Sequence, residues 1–170
     1  MSKFIKAALA SSVLAASVMG ANAAHAATAS ADARANILAE VTLSNDAGTA
    51  LDFGTIVVDG TGGAVVVDNA GNLDTCGGAL VCSGSTDAAD FTVGGTALET
   101  VNVSIPATVV LTNTASDTMT ATLSSTVAAG QVSLDASGAA AFSVGGSLAV
   151  AGSQPDGAYT GTFTVTADYP

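Results

Sequence analysis

Cys76 and Cys82 flank the run Gly-Gly-Ala-Leu-Val. Two thiols this close can form a disulfide, a redox pair or half of a metal site. Their spacing is not Cys-x-x-Cys, and the one histidine, His25, lies far upstream. A zinc tetrahedron therefore lacks its remaining ligands. A structural disulfide is expected, and closing so small a loop stabilises by about 2 kcal/mol on chain-entropy grounds. Asp68-Asn-Ala-Gly-Asn-Leu-Asp74 sets oxygen ligands around a glycine turn, which makes Asp68 and Asp74 calcium candidates. No Glu closes the loop at helix-loop-helix spacing, so a solvated turn is the simpler expectation. Asp87 and Asp90 form a carboxylate pair that glycoside hydrolysis could use, but aromatic platforms for sugar rings are scarce. Gly60-Thr-Gly-Gly63 lacks the Lys-Ser/Thr of a phosphate loop and reads as a turn. Asn102-Val-Ser104 fits a glycosylation sequon inside an expected strand. No catalytic residue and no cofactor are expected, and the chain is read as non-enzymatic.

Charge narrows the partners. Residues 1–26 have the pattern of an export signal: Lys3 and Lys6, an apolar run over 7–19 too short to span a bilayer, and Ala24-His25-Ala26 as cleavage site. Without that segment, Arg34 stands alone against 14 acids, a formal charge of −13. Such a chain cannot neutralise phosphates, so nucleic acid and anionic membranes are not expected partners. The expected location is the periplasm in transit, then the cell surface or the extracellular space.

The elements that must position these residues are strands. Ala, Val, Thr, Gly and Ser dominate, and no stretch after residue 26 keeps a helical period. Alternation predicts short strands over 37–43, 51–58, 64–67, 91–93, 100–105, 108–112, 119–125, 140–144, 147–150 and 159–169. Phe91-Thr-Val-Gly-Gly-Thr96 and Phe142-Ser-Val-Gly-Gly-Ser147 look like one tight hairpin used twice, since glycine accepts positive φ. Pro106 splits a continuous run and should mark a sheet edge or a crossing between sheets. The fold class is all-β, a sandwich of short antiparallel strands, with residues 37–170 as a single domain.

Both ends of this domain alternate. Tyr159, Gly161, Phe163, Val165, Ala167 and Tyr169 share one face, opposite four threonines and Asp168. In residues 27–36, Ala29, Ala31, Ala33 and Ala35 share a face, and Arg34 lies on the polar one. Gly157, with Tyr169 on the alternating strand that follows, resembles the C-terminal signature of chaperone–usher pilus subunits. Leu51-Asp-Phe-Gly-Thr-Ile56, Phe142-Ser-Val-Gly-Gly-Ser147 and the segment 157–169 are similar to a bacterial secreted family, domain of unknown function 4402. More loosely they resemble spore coat protein U-like domains.

The pilus resemblance implies an immunoglobulin-like, pilin-like sandwich that lacks its last strand. A groove bordered by Gly157, Tyr159, Phe163, Val165 and Tyr169 would accept a neighbour's N-terminal strand, with residues 27–36 as donor or extension. Donors of that family carry bulkier alternate residues, whereas this segment carries Ala. The same segment could instead complete its own domain. The expected function is a structural subunit of a secreted or surface-exposed polymer, pilus-like or coat-like. Its partners would be further copies, a periplasmic chaperone and an outer-membrane usher. The second reading is a self-complete, monomeric adhesion or binding module. An outer-membrane barrel is disfavoured by short strands and too few aromatics for two girdles, so no membrane insertion is expected.

Overall fold

The computed structural model describes residues 27–170; the expected export signal, residues 1–26, lies outside the described residues. The chain divides into two compact units between Ala35 and Asn36. In the first unit, residues 27–35 form no strand and are exposed. The second unit, Asn36–Pro170, carries every strand among the described residues.

Period-two patterning builds the sheets. Val65 and Val67 of β3 (Gly62–Val67) are fully buried while Val66 between them is not. On β9 (Thr118–Ser125), Met119, Ala121 and Leu123 point inward and the threonines outward. The longest strand is β11 (Ala139–Ala151), 13 residues that bury Phe142, Val144, Leu148 and Val150. Around it forms a seven-stranded antiparallel sheet with β1 (Thr42–Asn45), β3, β4 (Leu73–Cys76), β6 (Ala89–Gly94), β8 (Thr108–Thr112) and β9. A second sheet runs β10 (Gln131–Ser133), β7 (Thr100–Ser104), β12 (Thr166–Asp168), and β2 (Thr55–Val57) pairs β5 (Val81–Ser83) separately. Val93 of the large sheet meets Val101 of the second across the core, with Leu134 beside them. Phe142 and Val144 pack likewise against Val103. The fold is an all-β antiparallel sandwich, as the alternation implied. Pro106 sits where the chain leaves β7 in one sheet for β8 in the other, as expected of a residue that cannot donate to a ladder.

The expected Gly-Gly hairpins are absent. Gly145 and Gly146 lie inside β11, which joins two segments that alternation alone separates. Gly94 ends β6, and the chain crosses to β7 in the other sheet instead of turning back. None of these four glycines has positive φ. They are needed for close approach: a Cβ on Gly145 would lie 2.6 Å from the Val67 carbonyl oxygen, and one on Gly95 2.6 Å from the Tyr169 hydroxyl. The two similar motifs are neighbours, with Phe91 opposite Phe142 and their rings stacked at 5.3 Å.

Gly145 marks a change of partner. One edge of β11 pairs β6 over residues 139–144 and β3 over 146–151, while the other edge pairs β9 over 144–148. At the switch, the Gly145 N–H is taken by the Asn69 side-chain oxygen at 3.0 Å. The turn that presents Asn69 is held by Asp68, whose carboxylate accepts the N–H groups of Ala70 at 2.9 Å and Asn72 at 2.8 Å. β11 itself starts from a similar turn, where Asp135 accepts from Ser137 and Ala139.

Two outcomes follow from this arrangement. Gly145→Ala should destabilise by about 1–3 kcal/mol, because its Cβ meets backbone on β3 that cannot yield; a lower urea midpoint at unchanged slope checks this. Asp68 titrates below its ordinary value of 3.8, chiefly through the Asn72 backbone N–H and then the Asn72 amide. Asp135 is lowered too, first by the Ser137 hydroxyl and then by the Ala139 N–H. A carboxylate depressed on folding stabilises above its unfolded value and loses that contribution as pH falls through the folded one. Melting temperature should therefore drop as acid is taken below pH 3.8, and Asp68→Asn should flatten part of that drop.

Candidate assembly groove

Residues 157–169 do not form one continuous strand. Thr160 pairs with Thr112, exchanging bonds of 2.8 and 3.1 Å, and only Thr166–Asp168 joins β7. Between these anchors, residues 161–165 belong to no strand or bridge. The register slips by two residues across them, because their partner edge is itself bent at Pro106.

Beside this segment lies a groove made of two adjoining cavities, the larger of mixed polar and apolar lining and the smaller mainly apolar. The larger, about 680 Å³, is walled on one side by residues 51–58 and on the other by residues 154–159. Leu111, Met119, Leu148 and Val150 line it between those walls. The smaller, about 320 Å³, lies between residues 49–53 and residues 161–163, with Phe91 and Val109 in its lining. Leu51, Phe53 and Leu111 line both. Each wall offers unpaired backbone: β2 pairs only with β5, and residues 157–159 join no strand. The buried core residues Phe53, Leu148 and Val150 form part of its lining.

Neighbouring contacts hold the walls. Tyr159 donates to the Pro155 carbonyl at 2.9 Å and accepts from the Gln154 amide at 2.8 Å, which fixes the 154–159 wall. Gly157, at φ +145°, packs on Asn113, the buried side chain that organises the β8–β9 turn. On the opposite side, Cys76 and Cys82 form the expected disulfide. Cys76 pairs with Val65 on β3, and Cys82 with Ile56 on β2, so the bond ties the groove wall to the large sheet.

The expected site residues separate into three places. Gly157, Tyr159 and Phe163 line the groove. Val165 packs in the core beside it. Tyr169 lies away from both cavities and serves as a lock: the Thr96 N–H donates to its hydroxyl at 2.7 Å, and the hydroxyl donates to the Ala39 carbonyl at 2.9 Å. Ala29, Ala31, Ala33 and Ala35 are exposed, and Arg34 makes a 3.5 Å pair with Asp32. Asp68 and Asp74 join no group of three metal-ligating side chains among the described residues, and Asp68 is engaged by its own turn. Asp87 and Asp90 accept from Ala88 and Ser143. The 51–58 wall was missed as a groove element. Its motif was legible, but nothing in alternation says that it faces residues 154–163.

Reducing the disulfide should cost about 2 kcal/mol of stability. The loss should be local first. Amide exchange should accelerate at Ile56, Val57 and Cys82 before it does at Val65 or Val144, and mass spectrometry with and without reductant reads this.

No curated protein and no solved structure matches this chain. A family profile does: its match covers residues 40–169, nearly all of the strand-bearing unit. The chain belongs to the family described as Domain of unknown function (DUF4402).

Proposed function

We propose that this chain is a non-enzymatic structural subunit of a secreted or surface-exposed polymer, and that copies join by β-strand addition. The observation that carries this reading is the groove between residues 51–58 and residues 154–163, where β2 pairs only with β5 and residues 157–159 join no strand. An extended segment laid there gains main-chain hydrogen bonds from the edges, and its alternate side chains pack on the lining of the groove. Residues 27–35 have the required form: extended capacity, alternating Ala, and no strand of their own.

The reading gives the chain partners and a place. An unfilled groove on a free subunit invites aggregation, so a periplasmic chaperone would cover it and an outer-membrane usher would exchange chaperone for subunit. The disulfide is compatible with an oxidising compartment. A second reading has one observation in its favour. The Tyr169 lock closes the other end of the sandwich within one chain, as a self-complete adhesion module would require.

Size and stability separate the two. Protein comprising residues 27–170 should form SDS-resistant ladders at high concentration, and deletion of residues 27–35 should abolish them. A monomer that stays monomeric when concentrated, and melts unchanged after the deletion, overturns the polymer reading.

A further inference from the structure

The groove is charged at one end only. Asp52 and Asp156 stand on its two walls and are the charged residues of the larger cavity; the smaller cavity has none in its lining. Asp52 and Asp156 are both exposed, at the rim and not on the floor. Among residues 27–170 there is one Lys, Arg or His, and it is Arg34, in the segment read above as the donor. Its contact with Asp32 is between side chains 88% and 86% exposed, so water screens it.

Strand geometry turns this into a register. Side chains alternate, so when Ala33 and Ala35 face the core, Arg34 faces the rim. Asp32 shares that rim face about 6.6 Å away, at roughly 3.3 Å per residue. With Arg34 between Asp52 and Asp156, a donor that runs toward the uncharged cavity as its numbers fall sets Asp32 beside a lining without carboxylates. Ala29 and Ala31 then reach Leu51, Phe53 and Phe163. In the opposite direction residues 36 onward would have to enter the smaller cavity, drawing the donor's own domain into it, while residues 27–31 left the groove.

Resting on the strand addition proposed above, we infer that residues 27–35 of a second copy enter antiparallel to residues 157–163. Their register is the one that sets Arg34 between Asp52 and Asp156. Arg34 thus determines the direction and register of assembly, a role the alternating alanines cannot fill because each alanine can replace the next.

The test uses residues 27–170 and follows SDS-resistant species over time at low and high salt. Arg34→Glu should slow assembly about tenfold relative to the wild type at low salt, where like charges now meet, and the gap should narrow as salt rises. Adding Asp52→Lys and Asp156→Lys to Arg34→Glu should restore the rate. Because Asp52 also caps Gly54 at 2.8 Å, Arg34→Glu with Asp156→Lys alone provides a partial rescue free of that contact. Melting temperatures of the monomers report any misfolding. If the wild type assembles but Arg34→Glu does so equally fast, or neither rescue works in folded protein, the register is wrong while strand addition stands. If the wild type forms no SDS-resistant species, strand addition fails and the register with it.

Discussion

A β-strand has two hydrogen-bonding edges, and β11 has three neighbours. The sandwich depends on how that mismatch is resolved. β6 and β3 divide one edge between them, Gly145 lets them change places, and Asn69 supplies the acceptor that neither ladder offers there. Because β3 is held this way, it can carry β4. β4 carries Cys76, the disulfide carries β5, and β5 carries β2. The groove wall is therefore the far end of a chain of contacts that starts at one glycine in the longest strand.

Most of the fold was legible because its strands are half-buried and alternate. β8 was read to the residue, β7 and β9 to within one residue, and β6 over only its middle three, 91–93. The failures share a physical cause. Gly145-Gly146 was read as a turn because glycine is usually chosen for its torsional freedom; here it is chosen for its missing side chain, and only the approach of β3 and β9 reveals that. β4, β5 and β10 went unseen because they are short and, like Leu73–Cys76, exposed, so burial imposes no pattern on them. The segment 157–169 alternates throughout, but pairing needs a straight partner, and the edge it meets is bent at Pro106. Within the groove, the residues 157–163 side came from the resemblance to pilus subunits; the 51–58 side was fixed by tertiary contacts that alternation does not encode.

In the described residues, polar side chains serve the fold of the sandwich. Its acids hold turns, as Asp68 and Asp135 do, or decorate rims. Its hydroxyls face outward along β9 in a regular row without a base beside them. Where β2 pairs only β5 and residues 157–159 join no strand, the backbone itself is left to offer hydrogen bonds.

The Tyr169 hydroxyl has a consequence for the order of folding. Its bonds join residues 130 and 73 positions apart, and Ala39 in turn donates to Thr96 at 2.7 Å, closing a three-way knot among distant parts of the chain. Loop-closure entropy for contacts of this length must be met before any of them contributes, which makes such topologies slow. Synthesis adds a second delay, because the knot cannot be tied until Tyr169 has been made. A nascent chain with residues 39–168 already complete still has its edge open. Closure of that edge is therefore a late step in reaching the native state.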